Sequence, residues 1–233
     1  KGYFLAAFDY SQIELRVLAS VAGDSKMIEA FESDSDIHAI TASNVFNIDV
    51  KKVSKEQRHF AKTLNFGVIY GMGPDAFARN TGLSREEAEK FIKEYFSDFS
   101  EIKRWQEKTI DKARQVGYVE NLDGRKRWLP AITSPNRRFA AEAERAAINM
   151  PIQGLAADII KIAMVKIADY FEKEKLGENA RMLLTIHDEL IFEIKEEAVK
   201  KTMPEIKKIM ETAYELKVSL KVDSAFGKNW GEL

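Results

Sequence analysis

Arg58-His-Phe-Ala-Lys62-Thr-Leu-Asn-Phe66-Gly-Val-Ile-Tyr70-Gly71 sets two cations and then two aromatics at every fourth position. At about 3.6 residues per turn, this spacing lays Arg58, Lys62, Phe66 and Tyr70 along one slowly drifting helical stripe, about 18 Å long. Ala61, Leu64 and Val68 fall on a different side, so the side toward the core does not consume the stripe. Gly71-Met72-Gly73-Pro74 ends the helix. Ser54, closing a charged lead-in over residues 51–55, is placed to cap its start. Guanidinium and ammonium groups suit phosphate oxygens, and aromatic rings suit a sugar or a base. The stripe therefore has the length and order of groups to take a nucleoside triphosphate. An exposed helix with ordinary cations and two aromatics under a neighbour would show the same spacing.

The rest of the chain limits the setting. Its 233 residues, 45 % hydrophobic, suffice for one large domain or two intergrown lobes. A formal net charge of −1 leaves no global basic field, so any nucleic-acid surface is local. The absence of cysteine removes a disulfide framework and a thiolate zinc site, and fits a reducing compartment or a thermally demanding one. No uninterrupted apolar run approaches the ~18 residues of a membrane span, and residues 1–20 show no signal-peptide pattern. A soluble intracellular protein is the expectation. The opening Lys1-Gly2, without methionine, suggests an excerpt or a processed piece.

In chain order, residues 3–8 read as a buried strand that ends at Asp9, and a helical pattern follows from Ser11. Asp9 thus sits where strand turns to helix, a position that an N-cap would also explain. Gly23-Asp24 breaks this helix, and residues 35–46, containing His38, form another. Helices over residues 84–96 and 100–116 follow, the first opened by a Ser84/Glu87 capping box. Residues 117–130 read as a hairpin turning at Asp123-Gly124, with Arg125-Lys126-Arg127 beside Trp128 as the best local basic patch. A long helical region runs from Arg137 to about Lys175, interrupted near Pro151 and Gly154. On it Arg145, Asn149 and Gln153 again lie four apart, a face that could test minor-groove acceptors or simply meet solvent. Residues 181–186 and 190–194 are β-like runs with His187-Asp188-Glu189 at their tip. An amphipathic helix over residues 198–214 and a strand over residues 218–222 complete the chain.

Arg, Lys, Phe and Tyr-Gly at these intervals resemble the nucleotide-binding helix of the family A DNA polymerases, the bacterial DNA polymerase I type. Asp9-Tyr-Ser-Gln-Ile-Glu-Leu-Arg16 resembles that family's first acidic motif, and His187-Asp188-Glu189 between apolar strands resembles its second. The three come in the family's order, and the resemblance runs from Tyr3 to Trp230. Leu155 is a departure, standing where a small hydroxyl residue is usual. The resemblance implies an α+β fold, mostly helical fingers intergrown with a palm built on a small antiparallel sheet. Residues 1–15 and 141–233 would be palm and 16–140 fingers, with thumb and early palm absent from the chain.

It also implies roles. Asp9 and Asp188, helped by the Tyr10 carbonyl, would hold two magnesium ions (or manganese), and Glu189 would support them. Gln12, Glu14, His38, Arg58, Lys62, Phe66 and Tyr70 would receive the dNTP, with Lys62 also catalytic and Glu14 crowding the sugar 2′ position. Arg125, Arg127, Arg145, Asn149, Gln153 and His187 would meet primer–template DNA. The thumb would come from a separate chain or a missing N-terminal region, and the setting would be the cytoplasm, near the nucleoid, away from membranes. Two other readings stay open. One is a nucleotide- or DNA-binding fragment that needs a partner chain. The other is a metal-dependent nuclease, which has no need of a triphosphate-length stripe.

Overall fold

The computed structural model describes residues 2–33 and 35–233. Lys1, counted in the expected first palm segment, lies outside the described residues. The chain divides into two compact units, Lys1–Ile13 with Ala156–Leu233, and Glu14–Leu155. The sequence reading set its palm and fingers divisions after residues 15 and 140.

The first unit is built on a four-stranded antiparallel sheet. Strand β1 (Tyr3–Tyr10) lies between β5 (Glu189–Lys195) and β6 (Val222–Gly227), and β4 (Ala180–Ile186) pairs with the far side of β5. As an inner strand β1 buries Ala6, Ala7 and Phe8 in succession, which accounts for its unbroken apolar run. Helix α9 (Glu196–Glu211) packs on β1, β5 and β6 through Val199, Ile206 and Met210. Phe192 meets Phe8 and Phe171 edge-on, at ring-centroid separations of 5.5 and 6.0 Å.

The second unit is helical apart from a hairpin. Its helices are α1 (Ile13–Ala22), α2 (Ser25–Glu32), α3 (Ile37–Phe46), α4 (Lys55–Ile69), α5 (Pro74–Thr81), α6 (Arg85–Asp98) and α7 (Ser100–Val116). Its hairpin is β2 (Tyr118–Glu120) with β3 (Lys126–Trp128), and α8 (Arg137–Lys173) begins in it and continues into the other unit. Phe46, Phe60, Phe77 and Phe91 lock α3, α4, α5 and α6 together, with ring centroids 5.1 to 5.4 Å apart. A second cluster sets Ala113 of α7, Val119 and Leu129 of the hairpin region, and Ala143, Ala147 and Met150 of α8 around one core.

Two helices lie where the sequence offered only stop signals. Asp24, read as a breaker, caps α2 by accepting from the Met27 N–H at 3.1 Å. Pro74, read as the end of one helix, occupies the first turn of α5, where its missing N–H costs nothing. The expected interruption near Pro151 and Gly154 is absent, since α8 runs through both. An interior proline costs roughly 3 kcal/mol. Here Ala147, Ile148, Ile152, Leu155 and Ile159 are all buried, and their packing holds the helix through the lost bond. This helix has an 18-residue window of mean hydropathy 1.3, half of it buried inside the fold.

The last strand is also displaced from its expected place. Val218, Leu220 and Val222 alternate inward as read, yet β6 begins only at Val222. Its partner decides this, because β1 ends at Tyr10, opposite Val222, and the Ser11 N–H closes the ladder on the Lys221 carbonyl.

Candidate active site

In the first unit, register gathers acidic groups. Asp9 of β1 lies opposite Glu189 of β5 on one side and Asp223 of β6 on the other. His187 and Asp188 form the two-residue tip between β4 and β5, and His187 adopts the left-handed conformation (φ 53°) that such a tight turn requires. The tip is tied to β1 by the Tyr10 N–H, which donates to the Asp188 carbonyl at 3.3 Å. Burial pushes the Asp9 carboxyl up to about 6, and the charges of Asp188, Glu189 and Asp223 push the same way, as does a hydrogen bond with Asp188.

Such a group, crowded by like charges, gains from a cation. Carboxylate oxygens suit magnesium, which keeps waters and substrate oxygens in its shell rather than demanding a complete protein cage. Among the described residues no cluster of three or more His, Asp or Glu side chains forms such a cage. Asp9 and Asp188 are the carboxylates that could hold such an ion. Asp223 escaped the sequence reading because it sits in an unremarkable Val-Asp-Ser run; only strand pairing brings it to Asp9.

Tyr10 and Gln12 follow Asp9 along the chain. The Tyr10 ring is buried and its hydroxyl donates to the Met210 carbonyl at 2.8 Å, anchoring the end of β1 to α9. Gln12 has positive φ, and its side-chain oxygen is buried without a hydrogen-bond partner among the described residues.

In the second unit, α4 presents the stripe as its periodicity demands. Ser54 and Gln57 form a reciprocal capping box at its start, with bonds of 3.2 and 2.9 Å. Ala61, Leu64 and Val68 are buried, while Arg58, Lys62 and Tyr70 are exposed and Phe66 is half-buried. Arg58 pairs with Asp36 at 2.5 Å, and Asp36 also caps α3 by accepting from the His38 and Ala39 N–H groups. Burial would raise the Asp36 carboxyl, but Arg58 and these N–H donors hold it below its ordinary range. Among the described residues Lys62 makes no ion pair. The Tyr70 hydroxyl donates to Glu14 at 3.0 Å, which ties the aromatic end of the stripe to α1. Gly71 then turns the chain with φ 62° so close to α8 that a Cβ would stand 2.8 Å from Ile148 and 3.0 Å from Arg145.

His38 is buried where α3 packs against α4. It is 2 % exposed, its Nδ1 lies 2.9 Å from Asn65 Nδ2, and its ring stands 6.0 Å from that of Phe66. Burial pushes it down to about 4, with Arg58 and Lys62 adding to the effect against the opposing pull of Asp36. On the hairpin, Arg125, Lys126 and Arg127 are exposed beside Trp128, which is 69 % exposed. Asn121 holds the loop between β2 and β3 by accepting from the Asp123 and Arg125 N–H groups. On α8, Arg145 and Gln153 are exposed and Asn149 is half-buried, with its side-chain oxygen lacking a partner among the described residues.

A small antiparallel sheet carrying clustered carboxylates, and a helical unit carrying a cationic and aromatic stripe, make up an α+β fold that matches a polymerase domain. The model of DNA polymerase family A matches residues 1–232, and the chain belongs to that family. It is 44 % identical over 232 residues to the thermostable DNA polymerase I of Thermus filiformis, covering all of this chain and 27 % of that protein. It is likewise 44 % identical over 230 residues to the DNA polymerase I of Bacillus subtilis, covering 99 % of this chain and 26 % of that one. The chain thus spans about a quarter of the length of these curated relatives. Among solved structures, it is similar to the POL domain of Pol1 from M. smegmatis in complex with DNA primer-template and dNTP. That likeness has a TM-score of 0.94 and 38 % identity, and covers 99 % of this chain and 40 % of that one. The expected α+β class is met.

Proposed function

We propose that the chain carries the nucleotidyl-transfer centre of a template-directed DNA polymerase, which adds deoxynucleotides from dNTPs to a primer 3′-hydroxyl. The observation that carries this reading is the register that sets Asp9 against Glu189 and Asp223, beside Asp188, with the Asp9 carboxyl pushed up to about 6. A cluster held at this cost to the folded state is the mark of a functional carboxylate site.

In this reading the unit Lys1–Ile13 with Ala156–Leu233 is palm, and Glu14–Leu155 is fingers. Asp9 and Asp188, with the Tyr10 carbonyl, hold two magnesium or manganese ions, which when bound supply charge neutralisation for attacking and leaving oxygens. Glu189 supports that site. Arg58 and Lys62 neutralise charge that builds on the departing pyrophosphate, and His38 adds a neutral hydrogen bond there. Removing one such donor typically costs on the order of 10²–10³ in rate. Phe66 and Tyr70 pack the base and sugar. Glu14, held by Tyr70, crowds the 2′ position. Gln12, whose buried oxygen lacks a partner, completes the nucleotide contacts. Arg125 and Arg127 take template phosphates, and Arg145, Asn149, Gln153 and His187 meet the primer terminus and its pair. Such a chain works with DNA in the cytoplasm, at the nucleoid, and a thumb supplied by further polypeptide would add grip.

The test is single-nucleotide extension of a primer–template with one matching dNTP and magnesium, run beside Asp188→Ala. Extension that vanishes in the variant is expected. A chain that binds dNTP in a Lys62-dependent way without extending the primer would make it a partner-dependent fragment. A folded chain that neither binds nor extends would sink the proposal.

A further inference from the structure

The unit Glu14–Leu155 contains a buried polar chain whose innermost members have no role so far. Thr41 and Asn65 are fully buried, and His38 is 2 % exposed. Asn65 lies on the inner side of α4 next to Phe66, and His38 and Thr41 lie three residues apart on α3. The Thr41 hydroxyl donates to Asn65 Oδ1 at 3.1 Å, and Asn65 Nδ2 stands 2.9 Å from His38 Nδ1. The Thr41 oxygen also lies 2.8 Å from the Ile37 carbonyl. The hydroxyl proton is therefore shared between the Ile37 carbonyl, which also receives a backbone N–H inside α3, and the amide oxygen, for which it is the one donor among the described residues.

The consequence is chemical. An amide whose oxygen is taken by Thr41 must turn its NH2 toward His38. Nδ1 of His38 then accepts, and the single proton of a neutral imidazole resides on Nε2. Neutrality itself follows from burial beside Arg58 and Lys62.

We propose that Asn65, oriented by Thr41, is a positioning residue that holds His38 as its Nε2–H tautomer, a neutral donor for an anionic oxygen of the nucleotide. The identity of the recipient rests on the polymerase reading; the tautomer does not. The opposite amide orientation would place the proton on Nδ1 and make Nε2 an acceptor, which repels a phosphate oxygen.

Nitrogen-15 spectra of the whole chain at pH 8 decide the tautomer, because protonated and bare ring nitrogens resonate far apart and the chain has three histidines, His38, His59 and His187. The expected result is a protonated Nε2 and a bare Nδ1 at His38. In Asn65→Asp, whose side chain only accepts, the proton should move to Nδ1, and the Kd for a dNTP should rise by about tenfold or more. A proton on Nδ1 in the parent chain, or a mixture of tautomers, overturns the proposal, and this holds even if the variant does not fold. A tautomer that moves without any change in dNTP affinity overturns the role toward the nucleotide. In that case Lys62→Ala separates the two readings: loss of dNTP affinity there keeps the polymerase reading, and no loss removes it as well.

Discussion

His38 makes the stability of the chain depend on acid in a way that can be worked out beforehand. Its folded-state value is about 4, against 6.5 for a free imidazole, because burial and two nearby cations disfavour the charged ring. The unfolded chain therefore binds the proton first. Stability is fully present above about pH 6.5 and is lost as pH falls toward 4, at 1.36 kcal/mol per unit. Between pH 7.5 and 4.5 this comes to about 2.5 kcal/mol, reduced by solvent screening to about 2 kcal/mol. The perturbation is His38→Asn, which leaves an acceptor near Nδ1 for Asn65 but cannot titrate. It loses ring packing at every pH, a constant offset. Urea unfolding of both proteins at pH 7.5, 6.0, 5.0 and 4.5 isolates the titration as the change in their difference. The parent chain should lose about 2 kcal/mol more than the variant across that range. A difference that stays flat with pH would refute the reasoning, because it would mean that His38 titrates alike in both states.

Three further outcomes follow from the packing and the site. Gly71→Ala combines a left-handed backbone with a Cβ 2.8 Å from Ile148 and 3.0 Å from Arg145, so urea unfolding should show a loss of roughly 1–3 kcal/mol. Phe192→Ala removes a fully buried ring that meets Phe8 and Phe171, and should lower stability by about 3–5 kcal/mol in the same assay. On the proposed reading, Glu14→Ala opens the space beside the sugar 2′ position and leaves the carboxylates around Asp9 in place. Competition between matched ribo- and deoxynucleotides in primer extension should then shift about tenfold or more toward the ribonucleotide, and an unchanged ratio would remove Glu14 from sugar selection.

What could be read in the sequence was what depends on neighbours along the chain. The period of four in Arg58, Lys62, Phe66 and Tyr70 is a property of one helix, and α4 shows it with Ser54 as cap. The Ser84/Glu87 box and the His187-Asp188 hairpin tip are local in the same sense. Family resemblance rested on these short motifs and carried the fold class with them. Punctuation was the weak point, because Asp24 and Pro74 serve both as ends and as beginnings of helices, and Pro151 is no end at all in a helix clamped by buried neighbours.

Tertiary structure decided whatever depends on residues far apart in the chain. The start of β6 at Val222 is set by where β1 ends, and no pattern within residues 218–222 encodes it. Pairing of β1 with β5 and β6 brings Asp223 and Glu189 to Asp9, across more than 170 residues; burial there raises its carboxyl to about 6, and the charges of Asp188, Glu189 and Asp223 push the same way. His38 reads in sequence as a possible phosphate ligand on a helix. Only the packing of α3 against α4 buries it, pairs it with Asn65 and keeps it uncharged, because desolvation belongs to the assembled fold and not to the residue.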